Sequence, residues 1–259
     1  MHFIDTHCHL NFKAFEGDYL AAAQRAAAKG VEKIIVVGSD PTTSSQAIEI
    51  CQKINAKQKD FAFAAVGIHP THTDRDDFSA IEAIAEDPLV VAIGETGFDF
   101  YHDLEKKTAK EQADLFFRHI ELAGRLHKPL IIHNRNADSE ILETISHVQI
   151  EKGVFHCFST DHNFAKTVLE MGYLISFTGN ITYGNKKLKK VIERTPLEKI
   201  MIETDSPYIV PEPIRSEGTK QNEPAFVAEV AKRLALVKNI NISEVARQTT
   251  QNAHDFFNI

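Results

Sequence analysis

The chain has 259 residues, 43% of them hydrophobic and 25% charged, with a net charge of −7. That is enough chain to bury a full core without disulfide staples, and its acidic balance excludes a protein that grips duplex DNA by general phosphate neutralisation. The cysteines Cys8, Cys51 and Cys157 form no CxxC pair, no membrane-length apolar run occurs, and no basic-then-apolar leader opens the sequence, so reduced thiols and a cytoplasmic location are expected.

Short β-branched, apolar runs then recur along the chain. They are FID at 3–5, KIIVVGS at 33–39, FAFAAVGIH at 61–69, LVVAIGE at 89–95, PLIIH at 129–133, GVFHCF at 153–158, YLISFTG at 173–179 and KIMIETD at 199–205. Most are continuously apolar rather than alternating, the pattern of parallel strands covered on both faces. Helical patterns lie between them. DYLAAAQRAAAKG stops at Gly30, and DPTTSSQAIEICQKI opens with Asp40 as N-cap and Pro41 in the first helical position. DDFSAIEAIAED and the long amphipathic KTAKEQADLFFRHIELAGRLH flank the fourth strand. DSEILETISHV, DHNFAKTVLEMG and NKKLKKVIERT follow, and PAFVAEVAKRLALVK and SEVARQTTQNAHDFF close the chain.

Eight strands alternating with helices in about 250 residues give the (β/α)₈ (TIM) barrel count. Residues 1–259 are expected to form a single domain of this α/β class. An open doubly wound sheet would normally carry a glycine-rich phosphate loop after an early strand, and neither G-x-G-x-x-G nor G-x-x-x-x-G-K-[ST] occurs.

Six of these strands end on residues that bind metals. The first gives His7 and His9, the third His69, the fourth Glu95, the fifth His133, the sixth His156 and the eighth Asp205. In a barrel these ends converge on one face, where barrel active sites lie. Any one of these histidines fits a hydrogen-bonded side chain, and an Asp after a strand fits a helix cap; the set, at matching positions on different strands, does not. Imidazole and carboxylate donors suit Zn, Mn or Mg-like ions. His7 and His9 are i and i+2 on a strand, so both turn inward and Cys8 turns into the packing. A bridging carboxylate with histidines on either side is what a two-metal site requires. His69 fits an outer or substrate contact better than a ligand. His2, His72, His102, His119, His127, His147, His162 and His254 fall in or beside helices and loops and read as surface or packing residues, with His102 near enough to the fourth strand to reach the mouth.

At DTHCHL, GIHP, IGETGFDF, HCFS and ETDSPY, in that order from Asp5 to Pro224, the chain resembles the TatD-type metal-dependent deoxyribonucleases, a branch of the amidohydrolase-like barrels. The resemblance implies a hydrolase with two divalent ions. It implies that His7, His9, Glu95 and Asp205 hold one ion, and that Glu95 bridges to a second completed by His133 and His156. Related barrels bridge with a carboxylated lysine; no lysine stands at a strand end here. The chain departs from the pattern at Thr160, where glycine is common, and at Gln221, where arginine is frequent.

The activity implied is 3′–5′ exonuclease cleavage of single-stranded DNA ends, since a mouth closed by loops cannot wrap a duplex. The alternative is hydrolysis of a small amide, ester or phosphoester on the same centre. In the nuclease reading Asp205 is the general base and Glu95 the bridge, with Arg135, His69 and Glu203 around the substrate. Arg135 fits a phosphate clamp or a surface salt bridge, and Glu203, on Asp205's strand face, fits a residue that orients the shell or an ordinary structural acid. Asn222 and Glu223 are expected to brace the loop after the eighth strand. The basic run NKKLKK at 185–190 fits a solvated helix face or a steering patch. Phe98, Phe100 and Tyr101 fit loop packing or stacking on a terminal base. Neither a membrane nor an obligate protein partner is expected.

Overall fold

A computed structural model describes residues 1–75, 77–101, 103, 105–106 and 108–259. Asp76 and Lys107, where two predicted helices open, and His102 lie outside the described residues.

Eight parallel strands run in sheet order one to eight. They are β1 (Phe3–Cys8), β2 (Val31–Val37), β3 (Ala62–Val66), β4 (Val90–Asp99), β5 (Leu130–Arg135), β6 (Gly153–Phe155), β7 (Leu174–Phe177) and β8 (Ile200–Ile202). Between and after them come α1 (Tyr19–Ala28), α2 (Pro41–Asn55), α3 (Phe78–Ile84), α4 (Ala109–Leu126), α5 (Asp138–Ser146), α6 (His162–Glu170), α7 (Lys186–Arg194), α8 (Val227–Lys238) and α9 (Ile242–Phe257). The predicted caps form: Asp40 accepts the Thr43 amide and completes a capping box, with Pro41 opening α2. Gly30 follows α1 with φ +88°.

The strands close into a barrel at a seam that few ladder bonds hold. β1 meets the β8 side through a single bridge, Cys8 to Ser206. The Asp205 amide donates to the His7 carbonyl at 2.9 Å and the His9 amide to the Ser206 carbonyl at 2.8 Å. Side chains complete the closure. The buried Asp5 carboxylate accepts the Thr204 amide at 2.8 Å and its hydroxyl at 2.6 Å, and the Thr6 hydroxyl donates to the Ile202 carbonyl at 3.1 Å. Burial pushes the Asp5 carboxyl up to about 8, so near neutral pH these are bonds to an uncharged group, contributing about 0.5–1.5 kcal/mol each.

The interior has two layers. The lower is apolar: Ile4, Ile35, Val37, Ala65, Ala92, Ile131, Val154 and Met201 meet inside, and Phe256 and Phe257 at the end of α9 plug the floor. The alternate strand residues, such as Ile34, Val36, Ala64, Ile93, Leu130 and Ile132, face outward into the helices.

Above this layer the alternation changes in two strands. On β1, Ile4 points inward, so strict alternation would turn His7 outward. Between Asp5 and Cys8 the strand advances three residues while β2 advances two, and that extra residue turns His7 and His9 inward and Cys8 out to the core. On β4, Ala92 points inward, and between Ile93 and Thr96 the strand gains one residue over β5. Glu95 and Asp99 then face inward. Gly94 and Gly97 sit at φ +133° and +134°, and a Cβ there would lie 2.6 Å from the Ile131 carbonyl oxygen and 2.2 Å from that of His133. Only glycine lets β4 lie against β5 at these two points.

Candidate active site

β1, β4 and β5 carry His7, Glu95 and His133 within their ladders, whereas His9, His156 and Asp205 lie just past the ends of β1, β6 and β8. All six meet over the apolar layer. The two oxygens of Glu95 divide the set. Its Oε2 faces His7 Nε2 at 3.5 Å and His9 Nε2 at 3.9 Å. Its Oε1 faces His133 Nδ1 and His156 Nε2, each at 2.8 Å. Asp205 Oδ1 stands beside the first pair, 3.4 Å from His9 Nε2 and 3.8 Å from His7 Nε2. His7 stacks on His156, ring centroids 4.2 Å apart, so the two groups abut.

The donor set fits metal ions. His7 Nε2 and His9 Nε2 are 3.2 Å apart, and His133 Nδ1 and His156 Nε2 are 3.1 Å apart, each pair turned to one oxygen of Glu95. A single ring proton in such a pair serves the facing nitrogen or the Glu95 oxygen, but not both acceptors. A divalent cation satisfies both nitrogens and the carboxylate together. The ligand atoms of His7, His9 and Glu95, and those of Glu95, His133 and His156, lie within 4.8 Å of one another.

Electrostatics keep the two acids ionised. Burial opposes charge on Glu95, but the imidazoles of His156, His69 and His133 outweigh it and hold the carboxylate well below its usual range. Burial likewise opposes charge on Asp205, and the His9 hydrogen bond with the His7 and His9 fields holds it low. For His133, burial favours the neutral ring, and the bonds to Asp99 and Glu95 raise it.

Around this set, the remaining expected residues take distinct places. His69 lines the cavity mouth, its Nε2 3.5 Å from Glu95 Oε1. The Thr71 amide donates to its Nδ1 at 3.2 Å, which leaves the ring proton on Nε2, pointing inward. Burial and the neighbouring His133 push this ring down to about 3. Arg135 lines the same mouth, its guanidinium 3.7 Å above the Tyr101 ring.

Glu203 does not sit where substrate would touch it. It is 1% exposed and accepts the Cys157 amide at 2.6 Å and the Ser176 hydroxyl at 2.5 Å. Its Oε1 faces His156 Nδ1 at 3.5 Å. It therefore places a carboxylate behind His156 at ion-pair distance, without a hydrogen bond to the ring. For Phe98 and Phe100 the structure takes the packing alternative. Both are buried in the helix-facing core, Phe98 edge-on to Phe116, because the extra residue in β4 turns them outward. Tyr101 alone of the three is exposed, at 48%.

Asn222 braces the loop after β8, donating to the Thr204 carbonyl at 2.8 Å and that of Ile209 at 3.1 Å. Glu223 pairs with Arg25 at 2.6 Å. Gln221 donates to the Ala14 carbonyl at 3.0 Å, a contact within the loops. Thr160 donates to Asp138 at 3.2 Å.

Two residues outside the sequence reading also matter. Asp99 accepts from His133 Nε2 at 3.0 Å and fixes that ring; it is four residues beyond Glu95 on the same strand, a spacing that puts both on one face. His119, read only as packing, is fully buried on α4. Its Nε2 accepts the Ile68 amide at 3.0 Å and its Nδ1 donates to the Leu115 carbonyl at 2.8 Å. It holds the turn that carries His69.

The cavity above the ligands, about 620 Å³, is walled by Phe12, His72, Asn180 and Tyr208 besides the residues above. Among the described residues, no helix is long and apolar enough to cross a membrane.

Comparison with known proteins points to metal-dependent hydrolases. A family model described as "TatD related DNase" matches residues 4–258. The uncharacterized metal-dependent hydrolase YabD of Bacillus subtilis is 36% identical over 98% of each chain. The uncharacterized metal-dependent hydrolase TatD of Mycobacterium tuberculosis is 34% identical over 96% of each. Among solved structures, the TatD homologue YjjV of Escherichia coli superposes with a TM-score of 0.89 at 29% identity, covering 99% of this chain and 98% of that one. With a barrel of this topology, a His/Glu/Asp cluster able to bind metal, and a family match over nearly its whole length, the chain belongs to the TatD family of metal-dependent hydrolases.

Proposed function

We propose that this barrel hydrolyses phosphodiester bonds at single-stranded DNA ends, releasing nucleotides from the 3′ terminus in the cytoplasm, with two divalent ions (Mg, Mn or Zn) as cofactors. The division of Glu95 carries the reading: one oxygen serves His7 and His9, the other His133 and His156. A carboxylate shared in this way, between two histidine pairs, suits two ions on either side of a scissile phosphate.

When bound, the ions supply Lewis acidity toward phosphate oxygens and lower the pKa of bound water toward neutrality. The protein's own groups do the rest. Asp205, held ionised beside His9, takes the proton from the attacking water at a carboxylate oxygen. The inward Nε2–H of His69 and the guanidinium of Arg135 donate to phosphate oxygens. Asp99 keeps His133 in register from behind, and Glu203 sets a negative charge behind His156. The stacked Tyr101 holds Arg135 at the rim.

The test is an assay of end-labelled single strands with Mg²⁺, Mn²⁺ and Zn²⁺ in parallel. Stepwise, metal-dependent shortening from the 3′ end is expected. No nucleotide release with any ion, alongside turnover of a small amide, ester or phosphoester, would replace this reading with the small-substrate one.

A further inference from the structure

Beyond Arg135 the mouth opens into a second cavity of about 360 Å³, which shares Asn134, Arg135 and Ser159 with the central one. Lys187, in the first turn of α7, forms the far side, and Asp138 and Thr160 complete the lining. Asp138 is already engaged, accepting the Asn134 amide at 2.8 Å and the Thr160 hydroxyl at 3.2 Å. Two cations, Arg135 and Lys187, and one carboxylate, Asp138, therefore line one small polar space, a local positive excess in a chain whose net charge is −7.

The first turn of α5 enters the same wall at Asp138 and carries two acids, Asp138 and Glu140, the latter turned to Lys106, so what favours an anion in the cavity is the pair Arg135 and Lys187. The basic run at the start of α7 is not uniform. Lys189 turns along the helix to Glu193 at 3.5 Å, whereas Lys187 is the member of the run that lines the cavity.

We propose that this cavity binds a second phosphate group, the one next along a nucleic-acid strand whose scissile phosphate lies at the metal centre. The proposal rests on the phosphodiesterase reading of that centre and assigns its substrate class more closely: a strand with at least two successive phosphates. Arg135 lies between the two positions and touches both cavities. Lys187 serves the outer one, which makes it a specificity residue for chain length.

Isothermal titration of the full, Mn²⁺-loaded protein tests it, with thymidine 3′,5′-bisphosphate compared against thymidine 3′- and 5′-monophosphate. The wild type is expected to bind the bisphosphate about tenfold or more tightly than either monophosphate, the scale of a charge-assisted contact. Lys187→Glu should bring that ratio close to one, with Lys187→Gln between. Lys189→Glu, on the same helix but outside the cavity, should keep the wild-type ratio. Equal affinities in the wild type, or a wild-type ratio in Lys187→Glu, would overturn the proposal. Strand cleavage measured on the same samples reads the nuclease assignment separately. A Lys187-dependent bisphosphate preference without cleavage keeps the phosphate site and removes the nuclease; cleavage without the preference does the reverse.

Discussion

The lower layer of the barrel holds Ile4, Ile35, Ala65, Ala92 and Met201, and the layer above it holds His7, His9, Glu95, His133 and His156. In the lower layer the shifts between β1 and β2 at Phe3/Ile4 and between β3 and β4 at Ala64/Ala65 leave an apolar interior. In the upper layer β5 keeps its alternation, and the chain beyond β6 and β8 continues it through His156 and Asp205. β1 and β4 each gain one residue over their neighbour. The difference teaches that a barrel can change from packing to chemistry within one turn of strand, by moving two strands out of phase. The strand that supplies the shared carboxylate and the strand that supplies two ligands are the ones shifted.

Four substitutions or conditions separate the layers. The largest effect is expected from Gly94→Ala. Its Cβ would meet the Ile131 carbonyl at 2.6 Å on a backbone with φ +133°, a loss of about 4 kcal/mol, and realignment of Glu95 should lower metal affinity as well. Urea denaturation with metal analysis reads both. Phe257→Ala empties part of the floor and should cost about 3–4 kcal/mol, but the metal content of the folded protein should match wild type. Loss of metal in that variant would join what the account holds apart.

Acid should act through His119. Burial lowers this histidine from 6.5 to about 4, and the neutral ring is needed to accept the Ile68 amide. Unfolded chains bind this proton below about pH 6.5 and the folded state does not until about pH 4. The contribution is therefore full above pH 6.5 and lost as pH falls, about 3 kcal/mol in all. Stability against pH should fall more steeply between 6.5 and 4 in wild type than in His119→Gln; parallel curves would show that the ring does not titrate there. The smallest effect is expected from Asp99→Asn, which loosens His133 without removing a ligand. About 10- to 100-fold weaker metal binding, with an unchanged melting temperature for the metal-free protein, is the expected result.

The sequence makes some of this legible and hides the rest for physical reasons. The eight strands and the residues at their ends could be read because apolar runs and the residues that follow them are local. His7 and His9 could be placed together because i and i+2 share a face whatever the phase of the strand. The extra residues in β1 and β4 could not, since a bulge is defined against a partner strand. That is why the sequence leaves packing and stacking both open for Phe98 and Phe100, which lie in the core. The Asp5 clasp on Thr204 joins residues 199 apart, and burial pushes its carboxyl up to about 8 while the Thr204 hydroxyl and amide oppose the rise. Nothing in the local pattern marks such a pair. Glu203 shows the same limit: its strand face was readable, but its position behind His156 depends on β6 and β7.

The central claim is that Glu95 is shared by two ligand groups, and metal stoichiometry tests it most directly. Equilibrium dialysis followed by elemental analysis should find two divalent ions per wild-type chain. Glu95→Gln should weaken both together, whereas His7→Ala with His9→Ala should remove one and spare the fold. Retention of one tightly bound ion in Glu95→Gln, with the other alone lost, would contradict the account.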